Sequence, residues 1–97
     1  NAIIQPPDFS LFQNYPNPFN PSTTISFNIS SELNDNAVVS IFNLKGQLIK
    51  TYSINSGQTS ITWNGEDEFE KTVTSGIYLY KLNVGNKSFT KKMILLK

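Results

Sequence analysis

Residues 75–97, SGIYLYKLNVGNKSFTKKMILLK, have the pattern of a β-hairpin. Tyrosine and leucine side chains alternate with other residues over 77–82, as they do in a strand with one buried face. A polar turn with a glycine follows at 83–87, and an apolar strand runs from it to Lys97. Five lysines and no acidic residue lie between Lys81 and Lys97, so the hairpin is locally basic.

The composition of the whole chain limits what it does. Ninety-seven residues suit one domain. The absence of cysteine and histidine removes the thiol nucleophile, the commonest general base and the main zinc ligands, so we expect a non-catalytic protein without cofactors. A net charge of +1 and the absence of arginine argue against nucleic acid. No apolar run approaches the ~20 residues that span a bilayer, and no secretory leader is visible.

Alternating apolar residues predict strands throughout the chain and no α-helix. The predicted strands before the terminal hairpin cover residues 24–29, 37–42, 47–52 and 59–63, with a short piece at 72–74. Turns rich in Gly, Asn and Ser separate them, including the turn at Gly46. Short, evenly spaced strands of this kind predict an all-β antiparallel sandwich of about seven strands in two sheets.

Residues 1–11 contain a Pro-Pro pair and no periodicity, which predicts a linker from an upstream parent protein, followed by a domain at 12–97. The proline segment, residues 12–21 (FQNYPNPFNP), cannot be helical because its prolines restrict both their own and the preceding residues. It is expected to form a rigid extended lead-in. Its aromatic residues Phe12, Tyr15 and Phe19 have the spacing of side chains that press it onto a sheet edge.

Two groups of residues allow alternative interpretations. Glu66, Asp67 and Glu68 are a weak candidate for a calcium site, although their spacing does not match an EF-hand, and a solvated charged loop is the ordinary alternative. Trp63 is in phase with Ile61 on a predicted strand, which favours burial in the core. The alternative is a sugar-stacking platform, as in carbohydrate-binding β-sandwich modules.

Five sequence motifs occur in an order that suggests a family. They are YPNPFNPST leading into ISFNI, VVSIFNLKGQLI, ITWNG, TSGIYLYKL and TKKMILLK. Together they resemble the type A C-terminal sorting domain of proteins exported by the type IX secretion system of Gram-negative bacteria. The resemblance covers residues 12–97. Its most specific parts are YPNPFNP at 15–21, the turn Trp63-Asn64-Gly65, the motif Ser75-Gly76-Ile77-Tyr78 and the closing Lys-rich strand. The positions assigned to the family motif or to structure are Tyr15, Pro16, Asn17, Pro18, Phe19, Asn20, Pro21, Gly46, Trp63 and Gly65.

The resemblance implies an immunoglobulin-like sandwich that directs an upstream cargo domain of the same chain across the outer membrane. The type IX translocon would read it in the periplasm, and a sortase-like peptidase would then remove it in the linker before Phe12. The cargo would end at the cell surface or outside the cell. The sorting-signal candidates carried over from the family are Gly76, Tyr78, Lys91, Lys92 and Lys97.

Three questions remain open at the level of sequence. The lysines of the last strand serve either as a positive ridge for the translocon or as residues that keep an apolar strand from pairing with other chains. The domain is expected to be a monomer or a weak edge-strand dimer. The alternative function is a structural or carbohydrate-binding immunoglobulin-like accessory module of a secreted enzyme.

Overall fold

The protein consists of two antiparallel sheets. The computed structural model describes residues 9–29 and 36–97. Seven strands are present in these residues: β1 (Phe9–Leu11), β2 (Thr23–Ile29), β3 (Ala37–Asn43), β4 (Leu48–Ile54), β5 (Ser60–Trp63), β6 (Gly76–Val84) and β7 (Lys87–Leu95). One sheet has the order β1-β2-β5 and the other has the order β4-β3-β6-β7. The described residues contain no helix. This confirms the predicted all-β, immunoglobulin-like sandwich.

The core lies between the two sheets because each strand presents alternate side chains to it. In β2, Ile25 and Phe27 are buried while the residues between them are partly exposed. In β3, Val39 and Ile41 are buried, and so is Ser40 between them. The other buried apolar residues are Leu11, Phe19, Ala37, Ile61, Trp63, Tyr78, Tyr80, Leu82, Val84, Met93 and Leu95.

The terminal hairpin is the longest paired unit of the fold. Strands β6 and β7 have nine residues each and stay in register from Val84↔Lys87 to Gly76↔Leu95. Both strands extend further than the sequence predicts, so that only Gly85 and Asn86 form the turn. Gly85 has a φ of +59°, the left-handed conformation that two-residue hairpin turns need.

Strand β1 differs from the sequence prediction. Phe9–Leu11, which the sequence places in the linker, pairs with β2, and Leu11 is buried. A three-residue strand is too short to show alternation, so periodicity cannot reveal it. The rest of the predicted linker, including Pro6-Pro7, lies outside the described residues, and the division into linker and domain stays a prediction.

The predicted strand at 72–74 is absent. Thr72 makes a single bridge to Glu66 inside a loop, and no strand continues from it. The strand count of seven is therefore reached with β1 instead of this piece.

Candidate functional site

Three motif aromatics from distant parts of the chain meet at one end of the sandwich. The ring centroids of Phe19 and Trp63 are 5.7 Å apart, and those of Trp63 and Tyr78 are 5.3 Å apart in an edge-to-face arrangement. Such pairs are the geometries that aromatic rings prefer. All three side chains are buried. We call this cluster, together with Gly65 and Leu95, the motif end.

Gly65 is favoured by backbone geometry, because its φ is +77°. It lies close to the Pro21 carbonyl oxygen and the Leu95 side chain, which a Cβ would approach to 3.4 and 3.6 Å, ordinary van der Waals distances. The turn also satisfies the indole of Trp63, whose Nε1 donates to the Glu66 carbonyl at 2.8 Å. The Trp-Asn-Gly motif thus lets a loop close tightly over a buried tryptophan.

The proline segment covers the outer edge of β7. The Phe19 amide donates to the Ile94 carbonyl, and the Phe19 carbonyl accepts a hydrogen bond from the Leu96 amide, both at 3.0 Å. The Asn17 side-chain oxygen accepts the Ile94 amide at 3.0 Å, and the Gln13 side chain donates to the Lys92 carbonyl at 2.8 Å. The end of β7 is therefore paired on both sides, which protects it from pairing with other chains.

Only one of the three aromatics of the proline segment packs inward as predicted. Phe19 is 2% exposed, whereas Phe12 is 50% and Tyr15 is 80% exposed. Tyr15 instead fixes the segment through its backbone, which exchanges two hydrogen bonds with Thr24. The prediction for Phe12 and Tyr15 is wrong because spacing alone does not tell which side of an irregular segment faces the sheet.

Tyr80 ties the proline segment to β6. Its buried hydroxyl donates to the Phe12 carbonyl and accepts the Asn14 amide, both at 2.8 Å. Burial raises the pKa of Tyr80, while the bond from the Asn14 amide opposes that rise. Asn14 is itself buried and donates to the Thr23 hydroxyl and to the Pro16 carbonyl. These polar anchors are not predictable from the sequence, because nothing in the local pattern marks one asparagine among several as buried.

The acidic loop, residues 66–71, covers the outer edge of β4. The Glu68 amide donates to the Ile49 carbonyl at 3.1 Å, and the Glu68 carboxylate accepts the Thr51 amide and hydroxyl at 3.2 and 3.1 Å. The Asp67 carboxylate accepts the amides of Lys71 and Phe69. Its pKa is lowered, chiefly by the bond from the Lys71 amide. Both carboxylates thus bind the protein's own backbone.

These bonds leave the weak calcium candidate without support. Glu66, Asp67 and Glu68 bind different partners, since the Glu66 carboxylate accepts the Asn64 side-chain amide. Within residues 9–29 and 36–97, no group of three or more acidic, histidine or cysteine side chains is placed to hold a metal ion. The same residues include no helix long and apolar enough to cross a membrane.

The five predicted sorting-signal residues do not share one surface. Gly76 and Tyr78 line an open groove of about 350 Å³ against the β3–β4 turn at residues 43–47. The Tyr78 hydroxyl donates to the Thr74 carbonyl at 2.6 Å. The Lys97 amide donates to the Ser75 hydroxyl at 3.0 Å, so the chain lies beside this groove after β7 ends.

Lys91 and Lys92 point to opposite faces of β7. Lys91 is in phase with the buried Met93 and is itself partly buried, while Lys92 is exposed in phase with Ile94. The predicted positive ridge of Lys91, Lys92 and Lys97 is therefore not one surface.

Gly46 occupies the β3–β4 turn with a φ of +84° and open space around it.

Comparison with known families agrees with this geometry. Residues 13–96 match the sequence profile described as the secretion system C-terminal sorting domain. The chain belongs to this family of sorting domains. The family is that of type IX secretion, and the resemblance inferred from the motifs is confirmed. No curated protein sequence matches the chain significantly.

Two solved structures from Porphyromonas gingivalis resemble the sorting domain. Dimeric latent PorU is 25% identical with a TM-score of 0.67, over 96% of this chain and 10% of PorU. PorZ, described as an essential surface component of the type IX secretion system, is 22% identical with a TM-score of 0.66, over 90% of this chain and 11% of PorZ. The sorting domain thus spans about a tenth of each of these proteins.

Proposed function

We propose that the domain is a non-catalytic signal that directs its parent protein across the outer membrane through the type IX secretion system. The observation that carries the proposal is the convergence of Phe19, Trp63 and Tyr78, from three separate family motifs, into one packed cluster beside β7. A signal assembled from residues 13–96 exists only when the chain is folded. The partner machinery would then read a folded unit.

The residues proposed to carry the signal are Gly76, Tyr78, Lys91, Lys92 and Lys97. Their roles differ in this structure. Tyr78 is buried and lines the groove, so its role is to position the residues around the groove. Lys92 and Lys97 are exposed and are available for contact with the translocon. Lys91 is partly buried and is less available for such contact.

The further course of the parent protein belongs to the same proposal. After passage through the periplasm and the outer membrane, a sortase-like peptidase removes the domain upstream of β1, within residues 1–8, and the cargo is released or attached to the surface. The proposed partners are the translocon, this peptidase and an upstream cargo domain. The Pro-Pro pair at residues 6 and 7 supports a linker at this position.

The test is to fuse residues 1–97 behind a leader peptide and a reporter enzyme in a bacterium with a type IX system. We expect the reporter outside the outer membrane, and we expect a fusion without residues 12–97 to stay in the periplasm. Separate Lys91→Glu, Lys92→Glu and Lys97→Glu fusions measure how much each lysine contributes to export of the reporter. If the native fusion stays in the periplasm although the domain is folded, the proposal fails.

The alternative of carbohydrate binding depended on an exposed Trp63, and Trp63 is not exposed. Trp63 is fully buried between Phe19 and Tyr78, so its ring offers no face to a sugar. The prediction that Trp63 belongs to the core is confirmed. Blue-shifted emission that iodide quenches poorly and that polysaccharide leaves unchanged is the expected optical result.

A further inference from the structure

The outer face of the four-stranded sheet has two adjoining rows of apolar side chains that the core does not use. In the first row, Phe42 of β3 is the direct neighbour of Leu48 of β4 and of Leu79 of β6. In the second row, Ile77 of β6 is the direct neighbour of Ile94 of β7. Leu79 and Ile77 are two residues apart on one strand, so the rows lie side by side on the same face.

The β3–β4 turn extends this surface. Leu44 lines the groove together with Ile77 and is 63% exposed. Leu48 is 53%, Ile77 is 39% and Ile94 is 37% exposed. Exposed apolar side chains grouped on one face of a protein are a feature of interaction sites. We call it the outer patch; its members are Phe42, Leu44, Leu48, Ile77, Leu79 and Ile94.

Charge is distributed unevenly around the outer patch. Lys92 is the direct neighbour of Leu79, and Lys81 lies two residues further along β6 on the same face. The acidic residues in the described part of the chain lie together in the acidic loop, which borders the opposite side at β4. Lys81 and Lys92 place positive charge along β6 and β7. The β4 side carries both signs, because Lys45, Lys50 and Lys71 lie there with the acidic residues.

Near the outer patch, the side chains on the face of the sheet are available to a partner. The backbone groups at the strand edges there are not, because they already have hydrogen-bond partners. The edge of β7 beside Ile94 is bonded to Asn17 and Phe19, and the edge of β4 is bonded to Glu68. Strand addition at these positions would first have to break those bonds. A partner that packs flat against the sheet face breaks none of them.

We propose that the outer patch is the docking surface for a protein of the export machinery whose contact face is apolar and carries carboxylates opposite Lys81 and Lys92. This inference rests on the proposed function and names the surface through which it acts. A protein is favoured over a lipid surface because basic segments that bind anionic lipid have clusters of about four to eight Lys or Arg. The outer patch has Lys81 and Lys92.

The reporter fusion tests the surface with matched variants. Ile77→Ser/Ile94→Ser removes two partly exposed side chains of the outer patch, and Phe12→Ser/Phe69→Ser removes two exposed aromatics that are not members of it. We expect the first pair to lower the exported fraction about tenfold, since truncating central interface residues costs at least that factor in affinity. The second pair should export like the native fusion. Lys92→Glu should also lower export, and Lys71→Glu in the acidic loop should not.

Two further measurements, thermal melting and co-sedimentation, decide between the possible outcomes. Thermal melting of each purified chain establishes that it is folded. Native export by folded Ile77→Ser/Ile94→Ser overturns the docking surface and leaves the sorting function standing, whereas a native fusion that is never exported defeats both. Co-sedimentation with vesicles of phosphatidylethanolamine, phosphatidylglycerol and lipopolysaccharide tests the lipid alternative. Sedimentation of the native chain that Ile77→Ser/Ile94→Ser abolishes would assign the outer patch to lipid and overturn a protein partner.

Discussion

Single residues at the motif end are specified by contacts that local sequence does not contain. Trp63 is recognisable as a core residue because it alternates with Ile61 on a strand. The hydroxyl of Tyr80 and the buried amide of Asn14 are not recognisable in this way, because their partners lie 66 residues apart in the chain. The burial of apolar side chains can be predicted from the two-residue alternation of a strand, whereas the pairing of buried polar groups depends on tertiary structure.

Tyr80→Phe should lower the free energy of unfolding by about 1–3 kcal/mol at neutral pH, because two backbone groups lose a partner in the interior. Tyr78→Phe is the matched control, since its hydroxyl makes one bond, to the Thr74 carbonyl, and should cost about 0.5–1.5 kcal/mol. Urea denaturation measures both. Equal losses would contradict the role given to the Tyr80 hydroxyl.

Alkaline pH provides a second test of Tyr80. Burial raises its pKa above the ordinary value of 10.0, so the folded state holds the phenolic proton more tightly than the unfolded state. The associated stability is complete below the unfolded pKa and is lost as the pH rises through the folded pKa. We expect Tyr80→Phe to make stability fall less steeply above pH 10.0; the pKa of Tyr52, which burial also raises, maintains part of the slope. An unchanged slope would show that Tyr80 does not contribute.

Gly65→Ala and Gly46→Ala should each destabilise the domain. Both glycines have positive φ, +77° and +84°, so each alanine costs about 1–2 kcal/mol in backbone strain. The new methyl group makes ordinary van der Waals contacts at Gly65 and meets open space at Gly46, so the two losses should be similar. Thermal melting measures both variants, and an unchanged melting temperature in either would contradict the backbone strain.

At the scale of elements, the sequence predicts β2, β3, β4, β5 and the terminal hairpin because their residues alternate over four or more positions. Strand β1 escapes prediction because it has three residues, and 72–74 is wrongly predicted because its β-branched residues lie in a loop. The proline segment is correctly predicted to be non-helical. Its bonds to the edge of β7 come from Asn17 and Phe19, and such pairing between distant segments has no local signature.

Asn17→Ala should loosen the edge of β7 without unfolding the domain. The change removes the acceptor of the Ile94 amide, so the loss of stability is about 0.5–1.5 kcal/mol. Hydrogen exchange measured by NMR should show faster exchange at Ile94 and Leu96 than at Tyr80. Asn20→Ala, an exposed asparagine of the same segment, serves as the control. Unchanged protection of Ile94 in Asn17→Ala would contradict the edge contact.

Glu68→Ala should expose the edge of β4 in the same way. The Thr51 amide loses the carboxylate that accepts it, so its hydrogen exchange should accelerate. Glu70→Ala is the control, because Glu70 is exposed and its carboxylate makes no such bond. Calcium in millimolar amounts should leave the melting temperature of the native chain unchanged. A calcium-dependent rise that Glu68→Ala abolishes would restore the metal site.

At the scale of the whole molecule, motifs that are far apart in sequence form one structure. The proline segment, the Trp-Asn-Gly turn, the start of β6 and the end of β7 all contribute to the motif end. The order of the motifs was sufficient to predict the family and the sandwich. It was not sufficient to place the sorting-signal residues, because Lys91 and Lys92 are adjacent in sequence and lie on opposite faces.

The most direct test of the sorting function compares one fusion in two hosts that differ only in the type IX translocon. The fusion carries a leader peptide, a reporter and residues 1–97, and the reporter is measured in the periplasm and outside the cell. We expect export from the host with the translocon and retention in the periplasm of the host without it. Equal distribution in the two hosts, with the domain folded in both, would contradict the account.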